Sequence, residues 1–70
     1  MARRNDMAVL ELIWLHETDD AVKVAQDEVA EPVWLPLNQV EFLDESGRGM
    51  AGLIIEIVIR EGLARDKGLI

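Results

Sequence analysis

Apolar and polar residues alternate with a period of two over much of the chain, the signature of strands that bury one face. In residues 8–15, AVLELIWL, one side carries Leu10, Leu12 and Trp14 and the other Val9, Glu11, Ile13 and Leu15. The run is short and rich in β-favouring types, which predicts a strand rather than an amphipathic helix. The polar HETDD follows as a turn, and AVKVAQ sets Val22 and Val24 against Ala21, Lys23 and Ala25, a half-buried strand. DEVAE is a second turn. PVWL is a third, short strand entering from Pro32 and stopping at Pro36, which lacks an N–H and biases Leu35 towards extended backbone.

Beyond Pro36, Asn38 is placed to cap one helical turn over NQVEF. DESGRG, with two glycines and no apolar residue, is the clearest loop. GLIIEIVI then aligns Leu53, Ile55, Ile57 and Ile59 on one face of a strand, and REGLARDKGLI suits a short helix from about Glu61, stopped by Gly68 with Lys67 near its negative pole. These elements predict one mainly β (α+β) domain over residues 1–70: a small bent antiparallel sheet or partial barrel of about four strands with a short C-terminal helix. Val33 and Leu35 are expected to face the core opposite Leu53 to Ile59, with Val40 and Phe42 plugging one end. Trp34 alternates to the other side. It is expected to lie under the terminal helix against Leu63 and Leu69, the alternative being an exposed docking patch with Leu37.

Composition narrows the chemistry. Half of the 70 residues are apolar, enough for one small core, and without cysteine neither a disulfide nor a thiolate metal site is available to support it. The longest apolar run, Gly52 to Ile59, is interrupted by Glu56 and is far too short to span a membrane. Arg3 and Arg4 are not followed by the apolar region of a secretory signal, so a cytoplasmic location is the expectation. His16, beside Glu17, Asp19 and Asp20, is the one candidate metal-binding group, but a single imidazole is a weak signal against the plainer reading of a solvated strand end. Thr18 and Ser46 have no base at motif spacing, and GRG at 47–49 leads into a strand pattern rather than a helix. No catalytic residue, cofactor or metal is therefore assigned.

Charge is the feature that stands out. The net charge is −7, and between residues 11 and 59 eleven acids face only Lys23 and Arg48. They concentrate in three loop regions: Glu17, Asp19 and Asp20; Asp27, Glu28 and Glu31; and Glu41, Asp44 and Glu45. Solubility is the plain explanation. The functional one is that spaced carboxylates imitate a phosphate backbone and occupy a basic groove on another protein, since such a field repels nucleic acid and attracts basic surfaces. These nine acids are the candidate partner-binding residues, provided that the loops converge on one edge.

Three motifs add a resemblance: Val33-Trp34-Leu35-Pro36, Gln39-Val40-Glu41 and Lys67-Gly68-Leu69. With the stretch from His16 onwards, they make most of residues 16–70 similar to a family of small uncharacterised proteins of bacteriophages and prophages. The chain departs from that pattern at Leu37 and Asn38, where the family has a Lys-Ser pair, and at Arg60-Glu61-Gly62, where it has Pro-Glu-Trp. Those departures bear on a shared partner more than on a shared fold. The resemblance implies phage origin and no established activity. Phage origin favours, by analogy of class, an acidic inhibitor of the anti-CRISPR kind, a monomer or small homo-oligomer in the bacterial host cytoplasm. Its partner would be a host nucleic-acid-binding protein or CRISPR effector complex, with no direct contact to nucleic acid or membrane. Two alternatives are a structural or accessory phage protein that buries Trp34, Leu37 and the apolar side of the terminal helix in an oligomer, and a metal-dependent enzyme built on His16.

Overall fold

The computed structural model describes residues 6–70; Arg3 and Arg4 lie outside them. Among the described residues five strands, β1 (Met7–Glu17), β2 (Ala21–Ala25), β3 (Val33–Pro36), β4 (Glu41–Asp44) and β5 (Ile54–Arg60), form one open antiparallel sheet in the order β3-β2-β1-β5-β4. A short helix, α1 (Glu61–Asp66), follows β5 directly. Among the described residues no helix is long and apolar enough to cross a membrane. The fold is the mainly β architecture expected, with five strands where about four were predicted.

The additional strand comes from the segment read as a helical turn. Only Leu37–Gln39 is helical, as one 3-10 turn preceded by Pro36, with no side-chain cap from Asn38. Glu41 and Phe42 instead open β4, which pairs with the outer edge of β5 through Glu41↔Val58 and Phe42↔Ile57. Capping one turn satisfies a single N–H. Pairing with β5 satisfies a row of backbone groups and lets Phe42 pack against the core, so the strand prevails.

The β3 to β4 connection also dictates curvature. These strands are the two edges of the sheet, about 19 Å apart if five strands lay flat at their usual spacing. The 3-10 turn joining them advances only about 6 Å over its three residues. The sheet must therefore curl. β1 makes the curl possible by being eleven residues long: Met7–Ile13 pairs with β5 and Ile13–Glu17 with β2.

The concave face carries the core: Leu12 and Trp14 from β1, Val22 and Val24 from β2, Leu35 from β3, and Ile55, Ile57 and Ile59 from β5. Ala64 and Leu69 close it. As expected, Val33, Val40 and Phe42 pack against this core from the side. Leu53 does not join it; the residue precedes β5, is 45% exposed, and uses its carbonyl to accept the Trp14 N–H at 2.8 Å. The helix ends as its residues dictate. Gly68 takes φ +74°, its N–H donates to the Arg65 carbonyl, and the Leu69 N–H donates to the Ala64 carbonyl, a Schellman cap that seats Leu69 in the core.

Candidate binding surface

Strands β1 and β4 each contain one extra residue, and these bulges decide which side chains face out. In β1, Trp14 pairs with Val24 and His16 with Lys23, leaving Leu15 unpaired. Strict alternation would send His16 inward and Glu17 outward. The bulge reverses both, so His16 stands beside Lys23 on the convex face while Glu17 lies on the side of Trp14 and Val22. In β4 the shift falls at Leu43 and places Asp44 opposite Glu56.

Glu17 thereby becomes the centre of a polar clasp. The Arg48 Nε and Nη2 donate to its two carboxylate oxygens at 3.0 and 2.6 Å, and the Trp14 Nε1 donates at 3.2 Å. Arg48 also donates to Glu45 at 2.9 Å and stacks on the Phe42 ring, 3.9 Å from its centroid. The guanidinium holds the Glu17 carboxyl below its ordinary range, with burial opposing and the Trp14 bond assisting, and Glu17 in turn pushes Arg48 up. Gly47 makes this approach possible, since a Cβ there would collide with the Ile54 carbonyl and sit 2.9 Å from the Leu53 Cβ. The clasp pins the β4–β5 loop to the end of β1.

Trp34 is not beneath the helix. It pairs with Lys23 and so lies on the convex face, 42% exposed, with the Lys23 Nζ 5.9 Å from its ring centroid and His16 edge-on at 6.2 Å. α1 covers the opposite, concave face, where Leu63 and Leu69 are. Leu37 also packs against the core, so it does not share a patch with Trp34. The buried tryptophan is Trp14, 8% exposed. His16 is turned towards Trp34, and among the described residues no group of three His, Cys, Asp or Glu side chains is arranged to hold a metal ion.

The nine candidate acids do not form one field. Glu17 and Glu45 share Arg48, whose single positive charge offsets one of their two negative charges. Asp44 and Asp27 are turn formers: Asp44 accepts from the Ser46 hydroxyl and N–H, which lower its pKa, and Asp27 Oδ1 accepts from the Val29 and Ala30 N–H groups. Asp19 and Asp20 sit in the tight β1–β2 turn, where the Thr18 hydroxyl accepts from the Asp20 and Ala21 N–H groups. Glu28 and Glu31 lie in the β2–β3 loop at the other end of β2, about 13 Å of strand away. Asp19, Asp20, Glu28, Glu31 and Glu41 are exposed and form no ion pair among the described residues.

Two surface features escaped the sequence reading. On the convex face Glu11 stands directly opposite Glu56, a like-charge pair that costs stability, with Asp44 opposite Glu56 on the next strand. Strand alternation puts both glutamates on the outer side, but their juxtaposition depends on the β1–β5 register. The second feature is a groove of about 360 Å³ between the bulged part of β1 and the β2–β3 loop, with Ile13, Leu15, Ala25, Ala30 and Pro32 among its walls. No protein-family model, curated protein or solved structure matches the chain.

Proposed function

We propose that the chain is a non-catalytic binding protein whose β2–β3 loop engages a basic surface of another protein and blocks it. The observation that carries this reading is the state of Glu28 and Glu31: exposed, without an ion pair among the described residues, on a loop whose backbone Asp27 already holds in shape. Their charge is available for a partner and is not consumed by the fold. A net charge of −7 adds long-range attraction to a cationic surface. The resemblance to phage proteins narrows the proposal to an inhibitor of the anti-CRISPR type, acting in the bacterial cytoplasm by occupying the nucleic-acid-binding surface of a defence complex. The test is phage plaque formation on an immune host with and without the chain expressed. Restored plaques support the narrow reading, and unchanged plaques across several CRISPR types remove it.

A second reading, an accessory phage protein that self-associates through an apolar face, is favoured by the exposure of Val9, Leu43 and Ile54 on or beside the convex sheet. Glu11 and Glu56 lie within that face and oppose pairing with a second copy. Sedimentation over a wide concentration range separates the readings: concentration-dependent dimers support self-association, and a monomer throughout removes it.

A further inference from the structure

We infer that the groove beside the β2–β3 loop receives one apolar side chain from a basic polypeptide segment, so that the binding proposed above is anchored by shape as well as by charge. This inference rests on that reading and names the chemistry of the partner. The groove is concave and its walls are mostly apolar, built by Ile13 and Leu15 from β1, Ala25 from β2, and Ala30 and Pro32 from the loop. Leu15 contributes because it is the extra residue of the bulge. Asp27 and Glu28 form the acidic part of the rim.

The loop is held before any partner arrives. Asp27 Oδ1 accepts from the Val29 and Ala30 N–H groups at 2.9 and 2.8 Å, and at the loop's root the Gln26 Nε2 donates to the Leu69 carbonyl at 2.9 Å. Such preorganisation lowers the ordering cost of binding. Val29, 93% exposed at the tip, has no place in the core, and it borders a second shallow depression that shares Ile13 and continues to Ile54. An extended segment crossing Ile13 meets apolar surface on both sides and carboxylates along the rim. Charge complementarity selects the occupant: a segment with lysine or arginine flanking an apolar residue fits, whereas a second copy of a chain of net charge −7 and the phosphates of nucleic acid are repelled.

The experiment measures binding of two fluorescein-labelled peptides, Lys-Lys-Leu-Lys-Lys and Lys-Lys-Ser-Lys-Lys, at low salt. The leucine peptide is expected to bind about tenfold more tightly or better, the gain from burying one leucine side chain. Ala30→Phe, which fills the groove without changing charge, is expected to reduce the leucine peptide to the level of the serine peptide. As a check independent of that variant's folding, the Ile13 and Leu15 methyl resonances of the unaltered protein should shift with the leucine peptide and stay in place with the serine peptide. Equal, salt-sensitive binding of both peptides would overturn the groove and leave the charge-based reading standing. Absence of binding by either peptide would overturn both.

Discussion

Ile57 shows how much of this fold rests on single side chains. It is fully buried on β5 and pairs with Leu10 on one side and Phe42 on the other, so it joins three strands. Ile57→Ala is expected to cost about 2–5 kcal/mol through the cavity it leaves. A domain of this size has only about 4–10 kcal/mol in total, so chemical denaturation should show a large loss or an unfolded chain. The two tryptophans offer a second test. Trp14 is buried and Trp34 is on the convex surface, so Trp34→Phe should remove the red-shifted emission that an aqueous quencher reaches and leave blue-shifted emission that resists it. Residual emission that quenches readily would place Trp14 at the surface instead.

At the scale of elements, the β4–β5 loop and β1 are joined by the Glu17–Arg48 clasp and by paired backbone bonds, Trp14 N–H to the Leu53 carbonyl and Gly52 N–H to the Trp14 carbonyl. The folded pKa of Glu17 is depressed, so its contribution is fully present above the ordinary carboxylate pKa near 4.3 and is lost as pH falls through the lower folded value. Glu17→Gln should therefore cost about 1 kcal/mol at pH 7, with the gap to the parent closing below about pH 4. Asp44 is lowered too, but it acts in both proteins and cancels from the comparison. A gap that stays the same from pH 7 down to the lowest pH at which both proteins fold would mean that the glutamine fails through packing rather than through charge. The β1–β5 pairing carries the opposite kind of element-scale effect. Glu11→Lys turns a like-charge cross-strand pair into an attractive one facing Glu56, and should raise stability by about 0.5–1 kcal/mol in low salt, less in high salt.

For the whole molecule, the exposed edges are blunted: β3 is bracketed by Pro32 and Pro36, and β4 carries acids and a bulge. In the proposed reading, a partner is met by faces and loops. Because the β1–β2 turn and the β2–β3 loop lie at opposite ends of β2, their acids should not act as one unit on a small ligand. Replacing Asp27, Glu28 and Glu31 by amides should weaken the Lys-Lys-Leu-Lys-Lys peptide several-fold, mainly through slower association, while the Asp19 and Asp20 amides leave it nearly unchanged. Stopped-flow fluorescence checks both sets, and equal effects would show that only net charge matters.

Much of this architecture was legible before folding because burial of one face imposes a period of two. Leu12, Trp14, Val22, Val24, Ile55, Ile57 and Ile59 could be assigned to one face each from that period, and Gly68 marked the helix end because the left-handed backbone there suits a residue without a Cβ. The side of the sheet that Trp34 occupies was legible too. What covered that side was not, since α1 had two faces to choose from and alternation says nothing about a second layer. The bulges at Leu15 and Leu43 were equally hidden, because an inserted residue satisfies no local pattern and is stabilised only by the partner strands. From those bulges follow the inward turn of Glu17, the clasp with Arg48 and the wall of the groove. Sequence determined most of the residues that avoid water, though not the exposure of Leu53 and Trp34; tertiary structure decided which charges meet, because a salt bridge such as Glu17–Arg48 joins positions far apart along the chain that only the completed sheet brings within reach.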